Sequence, residues 1–581
     1  MKKVAVLGGG VGGMTAAHEL IVRGFQVVVF EQNDIAGGKA RSMPYKGSLV
    51  AGKNPFPGEH GFRFFPGFYR HLPDTLARID PSLLGHLTGT QNFEVARMDK
   101  PGILLPAHLP LSPIDLYQNL VNFFTADWDL PAKDAAFFAD RLLVLLTTCE
   151  ERRFAEYEGK SWWDFSEAAS RSEQYQKYCA EGLTRTLVAA RAQKISTRTA
   201  GYILLQLLFD LATPGVQMDR VLNGPTNDVW IDPWLQYLVS LGVDYRMNAK
   251  VVGFNCVGTQ IASVTVEENG QAKQEQADYY VAALPAEKMR DLVTNTMIGA
   301  DPTLLGLNKL DFGWMNGIQF YVKKSVGNAV GHTLYVDSKW ALTSIAQKQF
   351  WPNVDLAQHG NGTAVDVLSV DVSEWEEPGN FLPHTAHGST HAEIVAEVLE
   401  QLKAHLNTAS SKLIDNSDVV DQHLDPAIVF QGGVASANLE QLLVNAKGSW
   451  SHRPGAVTAI GNLFLAADYV RTFTDLATME SANEAARRAV NGILAAENSS
   501  EARCKIWPLK ESAWFAPLRL ADWFRFKLDL PHARLAVSFG RALTLPWQVT
   551  HAAARAFWRL RAAVSRSGLR GRIPSSGRRS R

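Results

Sequence analysis

The sequence predicts an α/β protein whose parallel sheet is assembled from distant parts of the chain. Three observations support this fold class. A short apolar run at the N-terminus leads into a glycine-rich turn, a second apolar run precedes an alanine-rich helix near residue 480, and segments with helix and strand patterns alternate between them. Short β-branched runs bounded by glycine are typical of buried parallel strands, and helices are typical connections between such strands.

Composition indicates a large folded protein. Of the 581 residues, 46% are hydrophobic and 20% are charged, which excludes the intrinsically disordered class. At roughly 150 residues per domain, this length allows up to about four domains. The four cysteines show neither CxxC nor Cys/His spacing. We therefore expect no disulfide framework, no metal site and a reducing compartment.

The first 31 residues contain the pattern of a nucleotide-binding unit. Lys3–Leu7 predicts a strand, 14–23 predicts a helix, and Gln26–Phe30 predicts a second strand that ends at Glu31. A GxGxxG motif joins the first strand to the helix and contains Gly8, Gly10, Gly12 and Gly13. Such glycines permit a tight turn, the approach of a pyrophosphate and close packing of helix on strand, and the acid accepts hydrogen bonds from ribose. The unit predicts a dinucleotide site, with an ordinary glycine turn as the alternative.

A second glycine motif follows this acid. It reads Gly37-Gly38-Lys39-Ala40-Arg41-Ser42, and with it the N-terminal region resembles the flavin-containing amine oxidase and phytoene desaturase superfamily. The resemblance implies an FAD cofactor whose pyrophosphate is backed by Gly37, Gly38 and Lys39. It also implies that Arg41 gives a charge-assisted contact to phosphate, with a surface arginine in a turn as the alternative.

The far end of the chain is similar to the C-terminal FAD motif of the same superfamily. Residues 462–467 predict a strand that ends at Asp468, and 479–495 predict a helix. The resemblance places Asp468 on the ribityl or pyrophosphate part of FAD. It places the backbone around Met479 beside the isoalloxazine, where helix polarity stabilises an anionic reduced flavin.

These separated blocks imply a discontinuous Rossmann-type FAD-binding domain, an inserted α+β substrate domain and a basic helical C-terminal tail. The resemblance also places the backbone at Val251 against the adenine. Two residues depart from the family pattern, because Ala467 and Ser481 stand where glycine is common. The predicted segments are 1–95, 216–300 and 426–500 for the FAD-binding domain, 96–215 and 301–425 for the substrate domain, and 501–581 for the tail.

The segment 58–70 contains five aromatic residues and three glycines in thirteen positions, and it resembles the loop that faces the flavin in carotene desaturases. The resemblance places His60, Gly61 and Phe62 at the isoalloxazine with Arg63 close by, and it makes His60 and Arg63 catalytic candidates. A hydrophobic loop that plugs the core is the alternative. Trp450 is a third candidate, because amine oxidases place an aromatic wall beside the flavin at about this position; a core tryptophan is the alternative.

The resemblance implies an FAD-dependent oxidoreductase of the desaturase or dehydrogenase type, which transfers hydride from a small hydrophobic substrate to flavin N5. The substrate class is isoprenoid, carotenoid or lipid-like. Alternatives are an amine oxidase that releases peroxide, a redox-neutral isomerase or dehydroxylase, and a non-enzyme with a structural flavin. Only one complete nucleotide-binding fingerprint is visible in the sequence, so we expect oxygen or a quinone to accept the electrons.

The last 81 residues differ from the rest of the chain in charge. Residues 501–581 contain 17 Lys and Arg against 4 Asp and Glu, and many aromatic residues lie among them. This combination favours a membrane interface, and a solubilising disordered end is the alternative. Basic aromatic segments also bind single-stranded nucleic acid, but we expect no nucleic-acid partner for a flavoenzyme. We predict a cytoplasmic protein bound peripherally to the inner face of the membrane.

Overall fold

The structure, a computed structural model, describes residues 1–98, 100–107, 130–182, 184–185, 190–213, 215–327, 329–409 and 411–533. Contacts divide the chain into two units. The first consists of Met1–Pro110 and Glu150–Ser512, and the second consists of Leu111–Cys149 and Ala513–Arg581. The first unit contains both large sheets, so this division does not separate the predicted FAD-binding segments from the predicted substrate segments.

A five-stranded parallel sheet joins distant parts of the first unit. The N-terminal strands are buried from Val4 to Leu7 and from Val27 to Phe30, as apolar strands are when both faces of a parallel sheet are covered. Both have the predicted bounds, and the predicted strand near residue 465 pairs in parallel with a neighbour about 180 residues earlier. The strand order is Leu463–Leu465, Tyr279–Ala282, Lys3–Leu7, Gln26–Phe30 and Asp244–Arg246.

Two helices from opposite ends of the chain pack against each other beside this sheet, Val11–Ile21 and Met479–Ala496. The second has the predicted position. The first begins three residues before the predicted start, because Gly12 and Gly13 lie inside its first turn. Glycine lowers helix propensity, but a side chain at either position would overlap backbone oxygens of neighbouring segments. Close packing therefore outweighs propensity here.

A mixed seven-stranded sheet forms the second large layer of the first unit. Its strand Asn316–Val322 is apolar and aromatic for the most part, and every residue in it is buried. The helix His391–Leu406 shares a hydrophobic core with this sheet and begins with a capping box of Thr390 and Glu393. The strand order is Val419–Leu424, Asn316–Val322, Asp366–Val372, Thr343–Ala346, His332–Tyr335, Asn92–Arg97 and Lys100–Pro106.

Smaller elements complete the first unit. One antiparallel sheet has the strands Ala249–Val257, Gln260–Glu268 and Gln271–Glu275. The two-stranded pairs are Ser42–Tyr45 with Phe56–Glu59, Leu87–Gly89 with Arg220–Leu222, Asp311–Gly313 with Leu442–Val444, and Ile428–Gln431 with Val434–Asn438. The α-helices not yet named are His71–Ile79, Glu150–Arg152, Trp162–Phe165, Glu173–Tyr175, Thr197–Ala212, Asp232–Ser240, Ala286–Leu292 and Asn295–Ala300.

The second unit pairs an internal segment with the C-terminal region. Its helices Ala132–Thr147 and Ala516–Lys527 pack together, and the Asp522 carboxylate accepts the backbone N–H of Cys149 at 2.9 Å. The predicted domain segments, among them 96–215 for the substrate domain, stay predictions. No helix in the described part of the chain is long and apolar enough to cross a membrane.

The first residues of the predicted C-terminal tail contact the body of the first unit. Residues up to Ser512 belong to the first unit. The backbone N–H of Trp507 donates to Nε2 of His71 at 3.1 Å, and the buried Cys504 donates its N–H to Asn491 at 2.7 Å. Trp507 is therefore fixed to the body of the first unit. The predicted tail beyond residue 533 lies outside the described residues.

Candidate active site

A cavity of about 970 Å³ opens at the carboxyl ends of the parallel strands. The residues that follow four of the strands line it, namely Gly8, Glu31, Ala283 and Ala466. Its volume lies near the upper end of the roughly 300 to 1,000 Å³ of ligand sites. Ligands of open α/β sheets bind at this edge, so the cavity has the position and the size of a site for a large ligand.

Most residues that the sequence singles out line this one cavity. They are Gly8, Gly10, Gly12, Glu31, Gly37, Gly38, Lys39, Arg41, His60, Gly61, Phe62, Arg63, Val251, Asp468 and Met479. Gly13 and Trp450 are not among the lining residues. The fold thus brings together residues that lie up to 471 positions apart in the sequence.

The glycine loop is packed backbone against backbone. A Cβ at Gly12 would lie 2.0 Å from the carbonyl oxygen of Ala466, and a Cβ at Gly13 would lie 1.8 Å from that of Gly8. Gly13 therefore serves helix packing, the role that the motif predicts for it. No side chain caps the helix Val11–Ile21 at Gly10. Its first N–H groups face the cavity without a capping side chain, as in sites that bind phosphate.

Glu31 is fixed at one end of the cavity. Its carboxylate accepts the backbone N–H of Gly9 at 2.8 Å and that of Asn33 at 2.9 Å. Burial raises the pKa of Glu31, although these two hydrogen bonds lower it. The Tyr245 hydroxyl donates to the Gly9 carbonyl oxygen at 2.7 Å and braces the same turn. Val251 lies on the cavity wall as well.

The second glycine motif lies beside the first. The Gly37 N–H donates to the Gly9 carbonyl oxygen at 3.1 Å, and Gly37 adopts a φ of 105° that favours glycine. Lys39 pairs with Glu287 at 3.0 Å. Arg41 donates to both carboxylate oxygens of Glu440 at 2.8 and 3.1 Å. Both predicted phosphate-binding cations therefore line the cavity while paired with carboxylates.

The C-terminal motif supplies another part of the wall, with Asp468 and Met479 on the cavity. Thr478 caps the helix Met479–Ala496 by accepting the N–H of Ser481 at 3.2 Å. The Ser481 hydroxyl instead lies 2.7 Å from that of Thr472. This departure from the family's glycine is accommodated because the hydroxyl bonds within the protein, and Ala467 adds only a methyl group.

A polar cluster forms the wall that carries His60 and Arg63. His60 Nδ1 lies 2.6 Å from Oδ2 of Asp425 and 3.4 Å from Oε2 of Glu440. Arg63 donates to the Lys39 carbonyl oxygen at 2.9 Å, and burial lowers its pKa, although nearby carboxylates raise it.

Two further carboxylates lie close to Arg63. Burial raises the pKa of Glu59 to about 7, although Arg63 and two hydrogen bonds from Thr226 lower it. Burial likewise raises the pKa of Asp371 to about 6, against the effects of Arg63 and His60. Asp371 lines the cavity, and its Oδ1 has no hydrogen-bond partner among the described residues. Asp371 and Arg63 both line the cavity, so its wall combines an acid whose pKa lies near neutrality with a cation.

The structure places Trp450 away from this wall. Its ring packs against the guanidinium of Arg198 at 4.3 Å and that of Arg453 at 5.3 Å, and Phe154 lies 5.4 Å away. Trp450 is not among the residues that line the cavity, and its assignment to an aromatic wall beside the flavin stays a prediction. Trp450 is only partly buried, so the alternative of a core tryptophan does not describe it.

Sequence reasoning missed four carboxylates of the site. Asp371 lies in the strand Asp366–Val372, which is otherwise mostly apolar. An acidic residue in such a strand could have indicated a functional side chain from the sequence alone. Glu59, Asp425 and Glu440 carry no comparable signal, because their relation to His60 and Arg63 depends on tertiary contacts.

The model of the family described as flavin containing amine oxidoreductase matches residues 11–494. The chain belongs to this family. Zeta-carotene desaturase of Synechocystis sp. is 23% identical over 521 residues, which are 85% of this chain and 97% of the relative. The 1-hydroxycarotenoid 3,4-desaturase of Flavobacterium sp. is 47% identical over 85 residues, which are 14% of this chain and 15% of the relative.

Solved structures of flavin amine oxidoreductases share the fold. Cyclohexylamine oxidase from Brevibacterium oxydans superposes with a TM-score of 0.56 at 15% identity and covers 86% of this chain and 99% of that structure. Likeness at this identity shows the fold alone. Family membership makes the protein a flavin-containing oxidoreductase of the carotenoid desaturase and amine oxidase type.

Proposed function

We propose that the protein is an FAD-dependent desaturase or dehydrogenase that acts on an isoprenoid, carotenoid or other lipid-like substrate. The observation that carries this proposal is the single cavity that joins the two glycine motifs to the His60 loop. Bound FAD supplies the acceptor for a hydride at its N5 atom. The protein's contribution is to hold the substrate carbon against the ring and to exclude water.

The residues of the cavity fit FAD. The tightly packed Gly12 and Gly13 leave room for a pyrophosphate at the uncapped helix start, and Glu31 has the position of a ribose acceptor. Lys39 and Arg41 supply two cations for the phosphates. We assign the adenine to the wall at Val251, and the ribityl chain and ring to Asp468 and the first turn after Thr478, in keeping with a Rossmann-type domain.

Two observations favour a desaturase over an amine oxidase. One is the similarity to a carotene desaturase, and the other is the apolar part of the cavity wall near His60. Zeta-carotene desaturase aligns over nearly its whole length. Phe62, Met315, Pro426 and Leu439 give apolar surface next to the polar cluster, which suits a hydrocarbon chain. One observation supports an amine substrate instead, since the Asp371 carboxylate offers a partner for an ammonium group.

An anaerobic reduction assay separates these functions. The holoprotein, purified in mild detergent, is mixed with ζ-carotene in micelles or with cyclohexylamine, and the flavin absorbance is followed. Bleaching by ζ-carotene alone supports desaturation, and bleaching by the amine alone supports the second function. Conversion of the polyene without bleaching identifies a redox-neutral isomerase, whereas release of FMN on denaturation contradicts the FAD assignment.

The electron acceptor belongs to the same proposal. We propose oxygen or a quinone, because no second nucleotide-binding fingerprint is visible in the sequence. Reoxidation of the reduced holoprotein by dissolved oxygen and by a soluble benzoquinone measures the two directly. A protein that neither reoxidises would contradict this part of the proposal.

We also propose that the second unit binds the inner face of an anionic membrane. Leu520, Phe524 and Leu528 recur at helical spacing and are 57%, 57% and 69% exposed, and Trp514 is 70% exposed. Lys527 adds positive charge beside them, and interfacial helices combine such features. Co-sedimentation with anionic vesicles is expected to fall strongly in L520E/F524E. Equal binding of this variant, or equal binding to neutral vesicles, would contradict the proposal.

A further inference from the structure

Arg63 differs from the buried arginines of the first unit in its partners. The fully enclosed arginines in the described part of the chain each form an ion pair with a carboxylate: Arg152 with Glu156, Arg153 with Glu511, Arg198 with Glu158, Arg453 with Asp475 and Arg487 with Asp74. Among the same described residues, Arg63 donates only to carbonyl oxygens, from Nη2 to Lys39 at 2.9 Å and to Arg41 at 3.5 Å, and its Nε has no hydrogen-bond partner. Its charge is therefore not neutralised by a hydrogen-bonded carboxylate.

The structure gives this arginine a fixed position on the cavity. Arg63 lines the cavity and is partly exposed, whereas the paired arginines are buried. The carbonyl oxygens of Lys39 and Arg41 hold its Nη2 against the second glycine motif. The positive charge of Arg63 therefore borders the cavity and acts on the group that the cavity binds.

The carboxylates near Arg63 act on it through their charges alone. Burial lowers the pKa of Arg63, and the charges of Glu59, Asp371 and Asp425 raise it without a hydrogen bond. Burial also raises the pKa of Glu59 to about 7 and that of Asp371 to about 6, so these two carboxyls are incompletely ionised near neutral pH. A buried cation that is only partly balanced in this way favours an anionic group beside it.

The flavin is the group in this cavity that becomes anionic. We have assigned the adenosine part of FAD to Glu31 and Val251 and the pyrophosphate to the helix start after Gly10, so the isoalloxazine belongs to the remaining wall, which contains Arg63 and Asp371. Reduction gives the ring two electrons and one proton. The proton is bound at N5, and one negative charge remains on N1 and the adjoining carbonyl oxygen.

We propose that Arg63 stabilises the negative charge of the reduced flavin and that Asp371 opposes this effect. Arg63 keeps its own proton, so both electrons stay on the ring and the added proton stays at N5. The attraction is stronger for the anionic reduced ring than for the neutral oxidised ring, and this difference favours reduction. The inference rests on the proposed FAD cofactor, but it does not depend on which substrate supplies the hydride.

Sulfite binding measures this effect without any substrate. Sulfite adds to N5 of an oxidised flavin and leaves the same negative charge on the ring, and the flavin absorbance falls as it binds. In the FAD-loaded protein, R63Q is expected to weaken sulfite binding about tenfold or more, because an opposite charge within about 4 to 6 Å changes an ionisation equilibrium by roughly 1 to 3 pH units. D371N is expected to strengthen binding a few-fold at a pH above the Asp371 pKa of about 6.

R471Q is the matched control. Arg471 also donates to two backbone carbonyl oxygens, those of Trp450 at 3.0 Å and Ser451 at 2.9 Å, but it is not among the residues that line the cavity. This variant is expected to keep the sulfite affinity of the wild type. R63K retains a positive charge and is expected to recover most of the affinity that R63Q loses.

The midpoint potential of the bound flavin gives an independent measurement. A tenfold change in the equilibrium of a two-electron couple corresponds to about 30 mV. R63Q is therefore expected to lower the potential by about 30 mV or more relative to both the wild type and R471Q, whereas D371N is expected to raise it.

The proposal would be overturned if sulfite affinity and potential changed no more in R63Q than in R471Q. If R63Q does not fold or does not retain FAD, D371N decides, and an unchanged or weaker sulfite affinity in D371N rejects the proposal. If the wild type binds no FAD, the proposal fails together with the cofactor assignment. Failure of ζ-carotene to bleach the flavin would remove the desaturase function alone, and the sulfite result would still decide the role of Arg63.

Discussion

The two ends of the cavity are built in different ways. The nucleotide end depends on backbone: glycines approach carbonyl oxygens where no Cβ fits, and Glu31 accepts N–H groups within its own motif. The His60 end depends on contacts between ionisable side chains that lie more than 300 residues apart in the sequence, such as His60 and Asp425. Local spacing encodes the first arrangement, whereas only the folded chain creates the second.

This difference predicts different responses to mutation. A side chain added to the glycine loop meets backbone that cannot move away. We therefore expect a steric loss of stability and of flavin binding that does not depend on pH. A charge removed at the His60 end leaves buried groups of opposite charge without a partner. We therefore expect a loss of stability that depends on the protonation of those groups. Variants at the two ends of the cavity test these expectations.

Gly13→Val is expected to abolish flavin binding and to prevent normal folding. Its Cβ would lie 1.8 Å from the carbonyl oxygen of Gly8, and overpacking typically costs about 1 to 3 kcal/mol even where side chains can adjust. The measurement is the flavin-to-protein absorbance ratio together with the melting temperature. Gly299→Ala is the control, because a Cβ there has open space. A Gly13→Val protein with full flavin content would contradict the assigned packing.

Arg63→Met is expected to destabilise the protein by about 3 to 5 kcal/mol at neutral pH, the usual cost of breaking a buried charge pair. Arg63 is the cation that opposes burial at both Glu59 and Asp371. The measurement is the free energy of unfolding in urea. The control is Arg290→Met, which removes an exposed pair with Asp291 and is expected to cost less than about 1 kcal/mol. Equal losses in the two variants would refute a central role for Arg63.

The same contrast explains what the sequence could predict. Three elements have the predicted positions, namely Lys3–Leu7, Gln26–Phe30 and Met479–Ala496. They could be predicted because the periodicity of hydrophobic residues and the position of glycines are properties of the local sequence. The helix start at Val11 was missed, since the contact of Gly13 with the Gly8 oxygen outweighs its low propensity. Local spacing also could not predict the contact of the Trp450 ring with Arg198, a residue about 250 positions away.

The carboxylates of the His60 end show the same limit. Asp425 and Glu440 lie beside His60 in the folded chain, and the strand Asn316–Val322 contacts the same loop through Gly317. Hydrophobic patterning predicts that such a strand exists. It does not predict which polar side chains meet behind it.

Glu59→Gln is expected to remove a pH dependence of stability. The pKa of Glu59 is about 7 in the folded protein against an ordinary 4.5, so the folded state holds more protons than the unfolded state between these values. Wild-type stability therefore falls as the pH rises from about 4.5 to 7, by up to about 3 kcal/mol from this group, and falls no further above it.

The measurement is urea unfolding of wild type and Glu59→Gln at several pH values across this window. The difference between the two curves isolates Glu59 from the other titrating groups. Parallel curves would contradict the raised pKa.

Arg41 links the two ends of the cavity, because it belongs to the second glycine motif and pairs with Glu440 of the His60 cluster. When a pyrophosphate binds, Arg41 must divide its hydrogen bonds between phosphate and Glu440. Arg41→Gln is therefore expected to weaken flavin binding about 10- to 100-fold, the effect of losing one charged hydrogen bond of about 1.5 to 3 kcal/mol.

Glu440→Gln is expected to act in the opposite direction and less strongly. Removing this anion frees Arg41 for phosphate and lowers the negative charge near the pyrophosphate site, so flavin affinity should rise a few-fold. Titration of apoprotein with FAD, followed by flavin fluorescence, measures both variants. If Glu440→Gln also weakens binding, Glu440 holds Arg41 in place for the phosphate instead of competing with it, and the two ends of the cavity then cooperate in binding the cofactor.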